Sequence, residues 1–186
     1  MGLCVYRRTG SNTRPAIVVR KSMDPEIRQI READIDSFRE AVDIVARERL
    51  YLYLVEAPPI EQVRSFVKGN IERGCPHLVL ASGSTVVGWC TILPLGRPVQ
   101  SHVGGVAMGL RPEWRDRRWG TRLMRGALDA GDRFGFTRIE LTVYSNNPRA
   151  AALYRKLGFA KEGVKQMSVR IGDTYFDEIM MARLHP

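Results

Sequence analysis

Apolar positions along the chain keep two periods. A short strand is predicted at Ile27 to Ile30, and after it Ile35, Phe38, Val42, Val45 and Ala46 return at helical spacing, with Asp34 as the expected cap. Ala57-Pro58-Pro59 turns the chain into a second helix, Glu61 to Glu72, whose inner face is Val63, Phe66, Val67 and Ile71 and which stops near Gly74 and Pro76. Two strands, His77 to Ala81 and Thr85 to Leu93, are joined by Ser82-Gly83-Ser84 as a tight hairpin. A fourth strand, Ser101 to Leu110, contains Gly104, Gly105 and Gly109; glycines inside a strand predict a bulge or the close approach of another backbone. A helix over Trp119 to Phe134 turns Trp119, Leu123, Ala127, Leu128 and Phe134 inward, and Thr137 to Tyr144 alternates as a strand. The next helix has Asn147 as N-cap, Pro148 at its first position and Gly158 past its end, with Ala150, Leu153, Tyr154 and Leu157 inside. Two strands, Val164 to Ile171 and Tyr175 to Leu184, close the chain around Gly172-Asp173. The order β-α-α-β-β-β-α-β-α-β-β predicts an α/β domain over residues 26–186, built on a single mixed sheet flanked by helices. The stretch before it, residues 1–25, reads as a basic extension ending at Asp24-Pro25.

Composition changes this picture little. With 186 residues, 44% hydrophobic and 26% charged, the chain has the make-up of one globular domain rather than of a disordered or disulfide-stapled one. Cys4, Cys75 and Cys90 are odd in number and widely spaced, so a disulfide framework lacks support and a reducing, cytoplasmic setting is expected. No apolar run nears the roughly 18 residues of a membrane span. Tyr6 stands where a myristoylation signal prefers Ser or Thr, and a secretory core is missing.

The net charge of +9 changes it more, because it points to an anionic ligand. Residues 1–25 carry five basic side chains against Asp24 alone, and Arg115, Arg117, Arg118, Arg122 and Arg125 crowd a second cluster opposed by Asp116. A nucleic-acid footprint would interleave such arginines with stacking aromatics, and apart from Trp114 and Trp119 these are missing. All of the second cluster but Arg125 lies in Leu110 to Leu123, where a glycine-containing strand leads through a basic turn into a helix. A helix start offers unpaired N–H groups and the positive end of the macrodipole, Gly120 lets a ligand reach them, and arginine suits phosphate. On these residues a phosphate site and a solvated basic helix start remain equal readings. GxxxxGK[ST], a GxGxxG at a strand-to-helix junction, HExxH and GxSxG are all missing, which removes P-loop, dinucleotide, zinc-protease and serine-hydrolase chemistry.

These residues resemble the GNAT superfamily of acetyl-CoA-dependent N-acetyltransferases. The resemblance spans residues 26–184 and is strongest from Gly105 to Gly163. The family's pyrophosphate motif, [RQ]xxGx[GA], matches Arg115-Asp116-Arg117-Arg118-Trp119-Gly120, except that Arg118 stands where the family has its first glycine. A second motif, NxxAxxLYxKxGF, is matched by Asn147, Ala150, Leu153, Tyr154, Lys156, Gly158 and Phe159. The resemblance implies a mostly antiparallel sheet whose fourth and fifth strands splay apart, with the pantetheine arm of acetyl-CoA lying in the gap. It implies Met108, Gly109 and Leu110 as backbone partners of that arm, and Arg115, Arg117, Arg118, Trp119, Gly120 and Thr121 around the pyrophosphate. Asn147 would hold the opened end of strand five or touch the cofactor directly, and Tyr154 would meet the cofactor and protonate the leaving thiolate. For the base that takes the amine's proton, Glu48, Glu56, His102, Glu113 and water stay open, and Tyr51 and Tyr53 are candidates to line an acceptor pocket. The finer pattern is similar to a subgroup acting on small amines or amino acids. The expected reaction is direct attack by a small-molecule amine on acetyl-CoA in a ternary complex, without a metal and in a homodimer. A protein N-terminus or lysine as acceptor, and a silent CoA-binding regulator, are the alternatives.

Overall fold

The computed structural model describes residues 24–185; the basic extension expected over 1–25 lies almost wholly outside the described residues. Strand β1 (Glu26–Gln29) passes through a 3-10 turn, Glu32–Asp34, into α1 (Ile35–Arg47). Asp34 does not cap α1 as expected. Its carboxylate turns back to the preceding turn, accepting from the Arg31 backbone N–H at 2.8 Å and from the Arg28 guanidinium at 2.6 and 2.8 Å. The 3-10 turn puts the Arg31 amide and the half-buried Arg28 nearer to that side chain than the first amides of the helix. Helix α2 (Ile60–Glu72) follows, with Val63 and Val67 buried, while Phe66 stays 40% exposed at the rim, tilted against His77.

The remaining elements are β2 (His77–Ser82), β3 (Thr85–Pro94), β4 (Val103–Leu110), α3 (Trp119–Phe134), β5 (Arg138–Tyr144), α4 (Pro148–Lys156), β6 (Ala160–Ile171) and β7 (Thr174–Leu184). The strands form one sheet in the order β1-β2-β3-β4-β5-β7-β6. Helices α3 and α4 cover one face, where Leu123, Met124 and Leu128 meet Ile92, Ile139 and Leu141. On the other face α1 and α2 bring Phe38, Val42, Val45 and Val67 onto Val79, Val86 and Trp89. In α4 the deepest residues are Ala151 and Tyr154; Ala150 and Leu153, expected inside, are half-buried.

One pairing decides the rest. Every neighbouring pair of strands is antiparallel except β4 and β5, which run parallel and touch only from Val103↔Arg138 to Gly105↔Glu140. Beyond Gly105 the two strands part, although β4 stays fully paired with β3 to Leu110 and β5 with β7 to Tyr144. The gap is therefore set between intact ladders. The glycines of β4 do not mark a bulge, since its register with β3 is unbroken from Gly104 to Leu110. What approaches Gly109 is a side chain: a Cβ there would lie 2.3 Å from Cη2 of Trp89.

Candidate active site

The gap opens onto the start of α3. Arg118 precedes that helix with φ +62° and ψ 4°, and no side chain caps it. Helix geometry leaves the first N–H groups, those of Trp119, Gly120 and Thr121, without intrahelical acceptors, at the positive end of the macrodipole. A cavity of about 270 Å³ lies before them. Met108, Gly109 and Leu110 form its β4 wall, and Arg118, Gly120 and Thr121 its α3 end. Asn147 and Tyr154 close it from α4. Nine of the eleven residues expected at the site on sequence grounds thus line one cavity, Arg115 among them, and Arg117 and Trp119 flank it in the same turn.

Tyr154 is 8% exposed, with its ring tilted against Phe159 at 5.9 Å. It is both a packing residue and a cavity residue. Burial, helped by the neighbouring Cys90 thiol, holds its phenol well above the ordinary tyrosine range, so it stays protonated at neutral pH. Burial likewise pushes Cys90 up to about 12, which leaves that thiol inert. Asn147 accepts the Ala150 N–H at 3.1 Å, the expected cap of α4.

The basic turn differs from a set of mobile charges. Arg115 is fixed: its guanidinium binds both oxygens of Glu48, one of them at 2.7 Å, donates through Nε to the Leu110 carbonyl at 3.0 Å, and lies over Tyr51 at 5.2 Å. Arg117 is exposed and does not line the cavity, and the Trp119 ring turns away to pack beside Trp114 with Arg122 over it at 4.2 Å. Arg118 is the arginine of the three left at the helix start. None of the base candidates lines the cavity. Glu48 is held by Arg115, Glu56 pairs with Arg47 at the surface, and His102 and Glu113 are exposed on turns. Five lining residues were not expected at the site: Val45, Asp116 and Arg149, and Ala150 and Leu153, which were expected as core alone. Arg149 bonds Asp116 at 2.6 Å across the mouth, and its place beside Asn147 in the second motif was the available signal.

A model of the acetyltransferase (GNAT) family matches residues 29–159, well over half of the chain. The chain belongs to the GNAT acetyltransferase family. GNAT membership makes it an acetyl-CoA-dependent N-acetyltransferase. It is 31% identical over 157 residues to the L-amino acid N-acetyltransferase AaaT of Escherichia coli (strain K12), covering 83% of this chain and 96% of that protein. It is also 34% identical over 105 residues to the N-alpha-acetyltransferase RimI of Mycobacterium tuberculosis, covering 55% of this chain and 65% of that one. The fold is similar to the GNAT superfamily phosphinothricin acetyltransferase from Sinorhizobium meliloti, solved in complex with acetyl-CoA, with a TM-score of 0.81 at 20% identity over 88% of this chain and 90% of that one.

The residues present fit acetyl-CoA. An uncapped helix start suits its pyrophosphate, the unpaired edge of β4 suits an extended arm that adds as a strand, and a protonated phenol lies beyond. At Gly120 a Cβ would come within 3.2 Å of Leu110 Cδ1, into the passage between β4 and α3.

Proposed function

We propose that the enzyme acetylates the primary amine of a small molecule, an L-amino acid foremost, by direct attack in a ternary complex. The observation that carries the reading is the parting of β4 from β5 beside Tyr154 and the uncapped start of α3, which brings donor groove, proton donor and anion site into one cavity. Acetyl-CoA supplies an activated thioester. The chain's part is to hold it by the N–H groups at Gly120 and Thr121 and along Met108 to Leu110, with a backbone N–H there stabilising the carbonyl oxygen as it gains charge. Tyr154 then donates its proton to the departing sulfur, a weak acid serving a thiolate whose own acid is weak. A retained, buried and protonated Tyr154 speaks for catalysis over silent cofactor binding.

The amino-acid acceptor is supported by the relative at 31% identity whose name states that substrate. The shorter match to an N-alpha-acetyltransferase keeps the α-amine of a peptide as the second reading. Two copies joined through the C-terminal strands, in a reducing cell interior where Cys75 and Cys90 remain free thiols, complete the proposal. The test is mass-spectrometric detection of acetyl transfer to pooled L-amino acids, polyamines and short peptides, with Tyr154→Phe alongside. The variant should lose about 100-fold or more in turnover and keep its acetyl-CoA affinity. An unchanged rate would remove Tyr154 as proton donor, and products on peptides alone would move the acceptor to the second reading.

A further inference from the structure

The loop between α1 and α2, residues 48–59, crosses the β4–β5 gap and is pinned on both sides of it. On the β4 side Glu48 and Tyr51 hold Arg115. On the other side Tyr53 donates its hydroxyl to the carboxylate of Glu178, also meets Thr142 Oγ1 at 3.2 Å, and sets its ring edge-on to Tyr144 at 5.8 Å. Tyr53 is 70% exposed, yet the carboxylate it reaches is only 3% exposed. Glu178 stands in β7 opposite Tyr144, and its nearest cation is Lys165 of β6, 3.9 Å away and itself largely in solvent. A second cavity, of about 280 Å³, has Gly105 and Val106 on its β4 wall and Thr142 and Lys165, which neighbour Tyr53 and Glu178, on its far wall.

A buried carboxylate needs a donor. Among the described residues the hydrogen-bond donor to Glu178 is the tip of an exposed side chain on a loop, so it can be exchanged for another without disturbing the sheet. The same loop exposes Leu50, Leu54 and Val55, an apolar lip around that position. We propose that Glu178 is the acceptor-side catalytic residue: its carboxylate receives the ammonium group of the acceptor in the place the Tyr53 hydroxyl now holds, and takes one proton from it. This rests on the acetyltransferase reading above. Glu178 accepts one proton from the ammonium; the freed nitrogen pair forms the C–N bond to the acetyl carbon; the C–S bond breaks and sulfur leaves with its electrons. Tyr154 gives that sulfur a proton and regains one from the nitrogen, so amide, free thiol and protonated Glu178 result. Tyr53, Tyr144 and Lys165 are the titratable groups facing Glu178, and none is placed to stand in for it as an anion at neutral pH.

The experiment compares wild type, Glu178→Gln and Tyr53→Phe on a panel of L-amino acids and their amides. Glu178→Gln should lower kcat/KM for the acceptor about 100-fold or more at neutral pH, with acetyl-CoA affinity held within about twofold. The deficit should narrow as the pH is raised until the acceptor arrives as a free amine. Tyr53→Phe removes the competing hydroxyl and should lower the acceptor KM roughly fivefold. Calorimetric titration of the best acceptor into the protein–CoA complex should show the same order: tighter for Tyr53→Phe, weaker for Glu178→Gln. Unchanged kcat/KM in Glu178→Gln, or loss of its acetyl-CoA affinity, overturns the proposal and leaves the acetyltransferase reading intact. Should Glu178→Gln not fold, Tyr53→Phe decides alone, and a raised acceptor KM overturns the proposal. Transfer to no amine at all overturns both.

Discussion

Arg118 holds a backbone conformation that non-glycine residues adopt at a cost. At φ +62° its Cβ crowds the following carbonyl, a strain of about 1 kcal/mol. The phosphate turn demands that conformation whichever residue fills it, which is why the family motif has glycine there. Arg118→Gly should relieve the strain, with much of the gain offset by the freer unfolded chain, for a net of about 0.5 kcal/mol at most and a rise of roughly 1–2 °C in Tm for a chain of this size. It also removes a cation from the cavity lip. Acetyl-CoA binding should therefore weaken in the variant and depend less on salt, as titrations at two ionic strengths would show. A lower Tm would mean that the side chain carries a contact worth more than the strain. The alignment of motif to position was legible in the sequence. The fate of the arginines was not, because Arg115 finds its partner in Glu48, a residue far away in the chain that only folding brings near.

Helix α4 is where local signals were strongest and the structure departs from them least. Asn147, Pro148 and Gly158 punctuate it as expected, and its phase still slipped slightly, placing Ala151 rather than Ala150 at the bottom of the core. The reason is that a helix of nine residues has few apolar positions with which to fix a face, and Ala150 is drawn toward the cavity. Asn147 joins two jobs that a pair of variants can separate. Asn147→Ala should cost about 1 kcal/mol by leaving the Ala150 N–H without its acceptor, and should lower turnover by loosening the element that carries Tyr154. Asn147→Ser keeps a capping oxygen. Should it restore both stability and turnover, capping is the whole of the residue's role; restored stability with weakened acetyl-CoA binding would show that the carboxamide also meets the ligand. The parting of β4 from β5 belongs to this scale too. No periodicity marked it, since both strands read as ordinary strands to their ends, and it was reached through the motifs flanking it. Glu178 was hidden for the same reason: a carboxylate within an apolar strand shows its burial only when a loop from the other half of the domain closes over it.

For the whole molecule, the second core under α1 and α2 contains a group that ties stability to pH. His77 is fully buried, with Phe38 edge-on at 4.9 Å, Asn70 at 3.3 Å from Nδ1, and no partner for Nε2 among the described residues. Burial holds its imidazole down at about 4 against the ordinary 6.5, and the carboxylate of Asp34 only partly opposes this. In the unfolded chain His77 takes up a proton as the pH falls through about 6.5, while the folded protein refuses it until about 4. The unfolded state thus binds more protons throughout that window, and stability falls as the pH is lowered across it. At about 1.4 kcal/mol per pH unit the loss approaches 3 kcal/mol, a large share of what a domain of this size has to lose. Asp34 acts lower down. Burial would raise its carboxyl, but the hydrogen bonds from Arg28 and the Arg31 backbone outweigh it and hold the group below the usual range, so its contribution is lost only in stronger acid. The two groups separate in a urea-melt series between pH 7 and pH 4. His77→Leu should flatten the decline in that window, at the expense of the Asn70 hydrogen bond and hence of some stability at pH 7. A variant that declines as steeply as wild type would show that His77 is not the group being titrated, and that the pH dependence comes from carboxylates elsewhere in the fold.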